Sequence, residues 1–97
     1  MNMYFSARTQ TLAQFKEVYD KRLLNETPQD GSPVIFCAMA NQTPQNRYDI
    51  VKFLIGEGAE LKGTNEESET LFHILFSRPK HIMEQTVELT QTLIDAG

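Results

Sequence analysis

The hydrophobic residues of this chain recur at helical spacing in several short stretches that are separated by polar segments. The clearest stretch begins near Tyr48 or Asp49, and its apolar residues cover one broad face of a helix. Gly56 and Gly58 follow it and suit a helix end that requires a positive φ. The apolar members are Ile50, Val51, Phe53, Leu54 and Ile55, and the polar members opposite them are Asp49, Lys52 and Glu57. The pattern predicts an amphipathic helix that ends at glycine.

A similar pattern predicts a first helix over residues 11–24. Thr11 and Gln14 fit a capping box, in which two side chains satisfy free backbone groups at the helix start. A short helical turn over residues 3–8 is predicted before it. A break over residues 25–31, marked by Pro28 and the Asp30-Gly31 pair, is predicted after it. The apolar stripe of this helix consists of Leu12, Phe15, Val18, Tyr19 and Leu23.

Two short and strongly apolar helices are predicted over residues 34–40 and 70–76. Ser32 and Pro33 are typical of the N-cap and the first position of the earlier one, and Pro79 ends the later one. Because both are apolar nearly all round, each is expected to be buried between neighbours. The segments 41–47 and 61–68 are predicted loops. A last helix, from Ile82 or Glu84 to Ala96, is predicted to turn four residues inward: Val87, Leu89, Leu93 and Ile94.

The order of short apolar helix, connection and longer amphipathic helix occurs twice. Ser32 and Thr70, which open the two short helices, are 38 residues apart, and Gly58 and Gly97, which follow the two long helices, are 39 apart. A period of this size indicates a repeat array, in which one helix pair cannot bury its apolar faces alone and stacks on the next pair.

The residues of the two copies resemble the ankyrin repeat. The segments 32–35 and 70–73 are similar to the Thr-Pro-Leu-His start of that repeat, and Cys37-Ala38 fall at its pair of small residues. The segments 50–61 and 93–97 are similar to its second helix and the turn that follows. The copies depart from the motif at four residues. In the first copy Ile35 replaces the motif histidine, and in the second copy Leu71 replaces the motif proline. Leu75 and Phe76 replace the pair of small residues in the second copy. Both copies also carry extra residues between their helices, over 41–47 and 79–85.

The resemblance implies an all-α fold of helix-turn-helix repeats, stacked as a short solenoid in a single domain over residues 1–97. Residues 1–29 would form a degenerate N-terminal capping unit, and residues 30–68 and 69–97 would form two repeats. The last helix could close the array. Because arrays usually contain three or more repeats, we instead expect a fragment of a longer array.

Composition and charge exclude several classes of function. The 9 basic residues against 13 acidic ones give a net charge of −4, which argues against a nucleic-acid partner. No apolar run approaches the roughly 18 residues that span a bilayer, and the N-terminus lacks the apolar stretch of a signal peptide. Cys37 is the single cysteine and forms no internal disulfide. We therefore expect a cytoplasmic protein without a membrane partner.

The candidate chemical groups favour structural roles over catalysis. The ankyrin resemblance implies that His73 bonds Thr70, and His81 is expected to be a solvated loop residue. Two histidines eight residues apart without a nearby cysteine do not make a zinc pattern. Cys37 lies on an apolar helix and is expected to be a buried, unreactive thiol. The segment Gly56-Glu57-Gly58 follows a helix rather than opening one, so it is not a phosphate loop. We expect no catalytic, cofactor or metal site.

Acidic residues in the connection before the second short helix are the main candidates for partner binding. One interpretation is a solvated loop. The other follows the resemblance and places Glu66, Glu67 and Glu69 on a finger that ankyrin proteins commonly present to partners. The neighbouring concave surface would be lined by Ser77 and Arg78 in one unit and by Met39 and Ala40 in the other. Such a cluster would attract a partner with a basic surface.

These observations lead to a first hypothesis of a non-enzymatic protein-binding module. Neutralisation of a toxin or effector is one setting that fits the small size and acidic charge. A second hypothesis is a regulatory or targeting segment of a larger enzyme whose catalytic part lies beyond residue 97. A third is self-association through exposed repeat ends. The sequence leaves the oligomeric state open.

Overall fold

The computed structural model describes residues 2–27 and 31–96, and within these ranges the chain is all-helical, as predicted. It lacks strands there, and none of its helices is long and apolar enough to cross a membrane. The Pro28 and Asp30 turn signals and Gly97 lie outside the described residues. The helices are α1 (Met3–Thr9), α2 (Leu12–Val18), a 3-10 turn (Lys21–Leu23), α3 (Val34–Met39), α4 (Pro44–Glu57), α5 (Leu71–Phe76) and α6 (Met83–Ala96).

The helices form three consecutive pairs, α1–α2, α3–α4 and α5–α6. Helix α1 packs against α3 and α3 against α5, while α2 packs against α4 and α4 against α6. The core is centred on α3, all six residues of which are buried, as its all-round apolar pattern predicts. Helix α4 adds three wholly buried side chains, Ile50, Val51 and Leu54.

Local signals at two helix ends are confirmed. Gly58 ends α4 in the left-handed region at φ 101°, where a residue with a Cβ is strained. Thr70 caps α5: its hydroxyl accepts from the His73 amide, and His73 Nδ1 accepts from the Thr70 amide at 3.1 Å. His73 therefore bonds Thr70 at the start of α5, as the resemblance implies.

The prediction of one helix over residues 11–24 is wrong beyond Val18. The Thr11 capping box is present, but Tyr19 takes an extended conformation and α2 ends before it. The turn lets the Tyr19 ring pack on Phe15 and on Phe53 of α4, with centroids 5.5 and 5.1 Å away. Asp20 then accepts from the Arg22 amide and starts the 3-10 turn. Contact with α4 therefore overrides the helical periodicity, and Leu23 stays exposed.

Helix α4 begins at Pro44, one turn before the predicted Tyr48 or Asp49. Proline has no amide hydrogen and is favoured at the first helical position, where that hydrogen has no partner. The segment 41–47 is thus a short connection followed by an added turn of helix. At α3 the expected cap also shifts by one residue, since Pro33 rather than Ser32 precedes the helix and no side chain caps it.

The predicted inner face of α6 is half right. Leu89 and Leu93 are buried together with Thr86, but Val87 and Ile94 are exposed. At 3.6 residues per turn the last two lie roughly 100–140° around the helix from the buried row, so they cannot face the same core.

Buried polar groups join the three helix pairs. The Asn41 amide nitrogen donates to the carbonyls of Ala7 and Gln10 at 3.0 and 3.2 Å, and its side-chain oxygen accepts from the Thr43 amide at 3.0 Å. These bonds connect the end of α1 to the connection between α3 and α4. The Asn41 side chain and its bond to the Ala7 carbonyl are buried, so water cannot readily replace that bond.

Two arginines cross between the second and third pairs. Arg47 of α4 is buried, and its guanidinium donates to the carbonyls of Asn41 at 3.0 Å and Lys80 at 3.1 Å. Arg78, after α5, donates in the other direction to the carbonyl of Ala40 at 3.3 Å. Burial, and to a lesser extent the nearby Arg78 charge, lowers the pKa of Arg47. Backbone carbonyls rather than carboxylates hold this buried charge.

A polar cluster bridges the central turns of α4 and α6. Lys52 Nζ lies 2.7 Å from Glu88 Oε2, and the Tyr48 hydroxyl donates to the same oxygen at 2.8 Å. The hydrogen bonds from Lys52 and then Tyr48 lower the pKa of Glu88. The same contacts raise the pKa values of Tyr48 and Lys52.

We expect this cluster to contribute to the pH dependence of folding. A carboxylate with a lowered folded-state pKa stabilises the fold above the ordinary glutamate value of about 4.3 and loses that contribution as pH falls through its folded pKa. Glu88→Gln should therefore reduce stability slightly at pH 7, and the difference should disappear in acid. Urea unfolding from pH 7 to pH 2.5 tests this. Glu17→Gln, at an exposed site on α2, serves as the control, and parallel curves for both variants and the parent chain would contradict the expectation.

Candidate protein-binding groove

A groove of about 930 Å³ runs between α1, the ends of α3 and α5, and the loop before α5. Its apolar lining includes Phe36, Cys37 and Ile74, which the short helices α3 and α5 supply. These helices present side chains to the groove because their other faces form the core. The groove is open and carries polar groups along its margins.

The acidic finger is held in shape by Asn65. The Asn65 side-chain oxygen accepts from the amides of Glu67 at 3.0 Å and Glu69 at 2.9 Å, and its amide nitrogen donates to Glu69 Oε1 at 3.0 Å. The Asn65 backbone amide also donates to the Glu69 carbonyl at 2.9 Å. Glu66 and Glu67 are exposed, whereas Glu69 is half-buried. The finger is therefore an ordered turn with two free carboxylates at its tip.

Two arginines add positive charge to the same groove. Arg78 donates to the Ser77 hydroxyl at 3.2 Å and to the Ala40 carbonyl, so its guanidinium is fixed at the margin. Arg8 of α1 is exposed and, among the described residues, has no carboxylate ion-pair partner. A partner in this groove would meet both signs of charge.

Six of the seven residues expected to bind a partner lie on this groove. The prediction is wrong for Met39, which is wholly buried because its position on α3 turns the side chain into the core. Arg8 and Asn65 were missed. Arg8 lies in residues 1–29, for which the resemblance gives no motif positions. Asn65 is an asparagine that opens an acidic turn, and that signal is visible in the sequence. The six residues are Ala40, Glu66, Glu67, Glu69, Ser77 and Arg78.

Cys37 is nearly buried at the floor of the groove, in agreement with its expected role. Its Sγ lies 3.9 Å from a guanidinium nitrogen of Arg8. Burial raises the pKa of the thiol, and the nearby Arg8 charge only partly opposes this. The thiol form, which is a poor nucleophile, therefore predominates at neutral pH.

The expectation of a solvated His81 is wrong. Its Nε2 lies 2.9 Å from the Arg78 carbonyl and its Nδ1 lies 2.8 Å from the Thr86 hydroxyl. Since a carbonyl only accepts, Nε2 carries a proton, and Nδ1 accepts from Thr86 when the ring is neutral. His81 thus joins the end of the second short helix to α6. In residues 2–27 and 31–96, no group of three or more His, Cys, Asp and Glu could hold a metal ion.

No family model and no curated protein matches the chain. A crystal structure of a functionally unknown protein from Leptotrichia buccalis C-1013-b is similar to it, with a TM-score of 0.84 and 25% sequence identity over 99% of the chain. The chain spans about half of that protein, 52% of its length. The similarity extends to the whole described fold.

Proposed function

We propose that this chain is a non-enzymatic protein-binding module of ankyrin-repeat type that holds its partner in the groove between the finger and the short helices. The observation that carries the proposal is that the groove brings together six residues from three separated segments, 40, 66–69 and 77–78. The ankyrin resemblance alone predicts all six positions. An ordered finger beside an open groove is suited to a protein surface or an extended segment, and neither needs a deep enclosed pocket.

Several local features support the ankyrin-type interpretation. The Thr70 capping box with His73 matches the start of a repeat, and Gly58 matches the turn after its second helix. Helices α4 and α6 have the same length, 14 residues each, and begin 39 residues apart. The extra residues between the helices of the second unit are largely taken up by an added turn of α4, so they leave the pairing of units intact.

The charge of the finger favours a partner with a basic surface. Glu66 and Glu67 have free carboxylates, and the whole chain has a net charge of −4. Such a field speeds the approach of a cationic partner and selects against acidic ones. Neutralisation of a basic toxin or effector is one setting in which a small acidic module would act this way.

The proposal is tested by reversing charge at the tip of the finger. Glu66→Lys combined with Glu67→Lys should leave helicity and melting temperature nearly unchanged, because both side chains are exposed and the Asn65 bonds use backbone amides. Affinity for lysine- and arginine-rich peptides from an immobilised library should fall about tenfold. Glu69 is left intact because its carboxylate bonds Asn65.

A matched control separates a groove effect from a net-charge effect. Glu17→Lys combined with Glu60→Lys changes the net charge by the same amount at exposed sites that do not line the groove. Equal weakening by both double variants would mean non-specific attraction and would count against the groove. Retained binding by the finger variant would count against the proposal as a whole.

A second candidate is a regulatory or targeting segment of a larger enzyme. The observation that favours it is that the similar Leptotrichia buccalis protein is about twice as long as the aligned region. The intact mass of the native protein, measured together with turnover assays on that product, would distinguish it from a module that acts alone.

A further inference from the structure

The outer face of α6 carries an apolar stripe that no other described element covers. Met83, Val87 and Ile94 are 67%, 60% and 56% exposed. At 3.6 residues per turn, the three lie within an arc of about 40° of the helix. Phe76, the last residue of α5, is 57% exposed as well. Scattered exposed apolar residues are ordinary, but several aligned along one helix face indicate a surface that another element covers.

The internal repeat identifies the equivalent face one helix pair earlier, and there it is covered. With the offset of 39 between α4 and α6, the stripe residues correspond to Pro44, Tyr48 and Ile55, all of which are half-buried. With the offset of 38 between Ser32 and Thr70, Phe76 corresponds to Ala38 of α3, which is wholly buried.

The element that covers this face of α4 is another helix, α6. Tyr48 and Lys52 both reach Glu88, and the Gln85 side-chain nitrogen donates to the Gln45 side-chain oxygen at 3.0 Å. A helix placed on α6 as α6 is placed on α4 would lie across the exposed stripe. The covering partner is therefore expected to be helical and amphipathic.

The charges beside the stripe restrict which helix fits. Helix α6 contains three carboxylates and no lysine or arginine. Glu88 is paired with Lys52, but Glu84 and Asp95 have no ion-pair partner among the described residues. These two carboxylates lie on the same side of the stripe, roughly 60–120° around the helix from its members. A second copy of α6 would bring more carboxylates to this edge and be repelled, whereas a basic helix would be attracted.

We propose that the outer face of α6 binds an amphipathic helix of another protein, which places apolar side chains on Met83, Val87 and Ile94 and a lysine or arginine beside Glu84 and Asp95. This is recognition of a helix by its apolar face, with an ion pair that sets its orientation. The surface lies on a different element from the groove residues, so the proposal is independent of the function proposed above.

The probe is a synthetic peptide with the sequence of α6 that carries Gln85→Lys and Glu88→Leu. In the existing contact between α4 and α6, Gln85 of α6 lies against Gln45 of α4. The residue of α6 equivalent to Gln45 is Glu84. A peptide with lysine at position 85 would therefore place that lysine beside the Glu84 carboxylate of the chain. Glu88 of α6 lies against Tyr48 of α4, and the residue of α6 equivalent to Tyr48 is Val87. A peptide with leucine at position 88 would therefore place that leucine on the apolar Val87 side chain of the chain. Titration into the ¹⁵N-labelled chain should shift the α6 amides saturably. The matched peptide with Gln85→Glu should bind about tenfold more weakly.

Two variants of the chain complete the test. Val87→Glu should leave the melting temperature nearly unchanged and weaken the lysine peptide about tenfold, since it places a carboxylate in the centre of the stripe. Leu23→Glu changes an exposed apolar residue far along the chain from α6 and should have no effect on binding. Equal binding of both peptides, or binding insensitive to Val87→Glu, would overturn the proposal.

Two other occupants of the outer face of α6 would give different results, and either result would overturn the proposal of a helix from another protein. A dimer in sedimentation equilibrium that Val87→Glu abolishes would assign the face to a second copy of the chain. A native product heavier than 11.1 kDa that fails to bind the peptide would assign it to a further segment of the same polypeptide.

Discussion

Replacing Leu54 by alanine is expected to lower the free energy of unfolding by roughly 2–5 kcal/mol. Leu54 is wholly buried on α4, and α4 packs against α2, α3 and α6. The substitution removes three carbon atoms from a site that several rigid neighbours enclose, so the cavity cannot collapse fully. A domain of this size has a total stability of only about 5–10 kcal/mol, so the variant should be close to unfolding at room temperature.

The matched control is Leu23→Ala, which makes the same chemical change on a side chain that is 40% exposed. Its expected cost is below about 1 kcal/mol, because it creates no enclosed cavity. Chemical denaturation of both variants with circular dichroism detection measures the difference. Similar midpoints for the two would show that the α4 face is not core.

Asn41→Ala is expected to cost roughly 2–4 kcal/mol, because it leaves the buried carbonyl of Ala7 without its partner and removes the part-buried bonds to Gln10 and Thr43. This exceeds what its small volume would suggest. The loss should also separate the first helix pair from the second, since the two carbonyls belong to the end of α1. Hydrogen exchange should then show faster exchange in α1 than in α5, and uniform exchange would contradict this role.

Asn41→Asp tests the same contacts without creating a cavity. An ionised carboxylate still accepts from the Thr43 amide, but its other oxygen would face two carbonyl oxygens that accept only. The protonated acid can donate to one of them. The aspartate variant should therefore be less destabilised at pH 4 than at pH 7, whereas the alanine variant should show no such recovery.

The sequence predicts well those elements whose limits are set by neighbouring residues. The Thr70 cap and the Gly58 stop depend on local chemistry, and α3 is buried because it has no polar face to expose. The same prediction is only half right for α5, where Leu71, Ile74 and Leu75 are buried but His73 and Phe76 are exposed. The end of α2 could not be read in this way, because Tyr19 leaves the helix to meet Phe53, which is distant in sequence. The sequence predicts Pro44 as a loop residue, although proline is equally suited to the first turn of a helix.

The candidate groove likewise contains residues that the sequence predicts and residues that it does not. Its finger residues were located because the repeat register counts positions, and counting is insensitive to packing. Met39 was misplaced because register gives a position along α3 but not the direction of the side chain. Val87 and Ile94 were assigned inward on hydrophobicity alone, and that assumption fails for a helix with apolar residues on two faces.

The crossed arginines have a consequence for the order in which the chain comes apart. Helix pairs that contact only their neighbours along the chain tend to unfold from the ends inward. If the third pair detached, Arg47 would lose the Lys80 carbonyl and Ala40 would lose Arg78 in a single event. Each loss removes a hydrogen-bond partner from a charged or polar group that the fold partly withdraws from water. Fraying of the end is therefore coupled to opening of the centre, and the last two pairs should unfold as one cooperative unit.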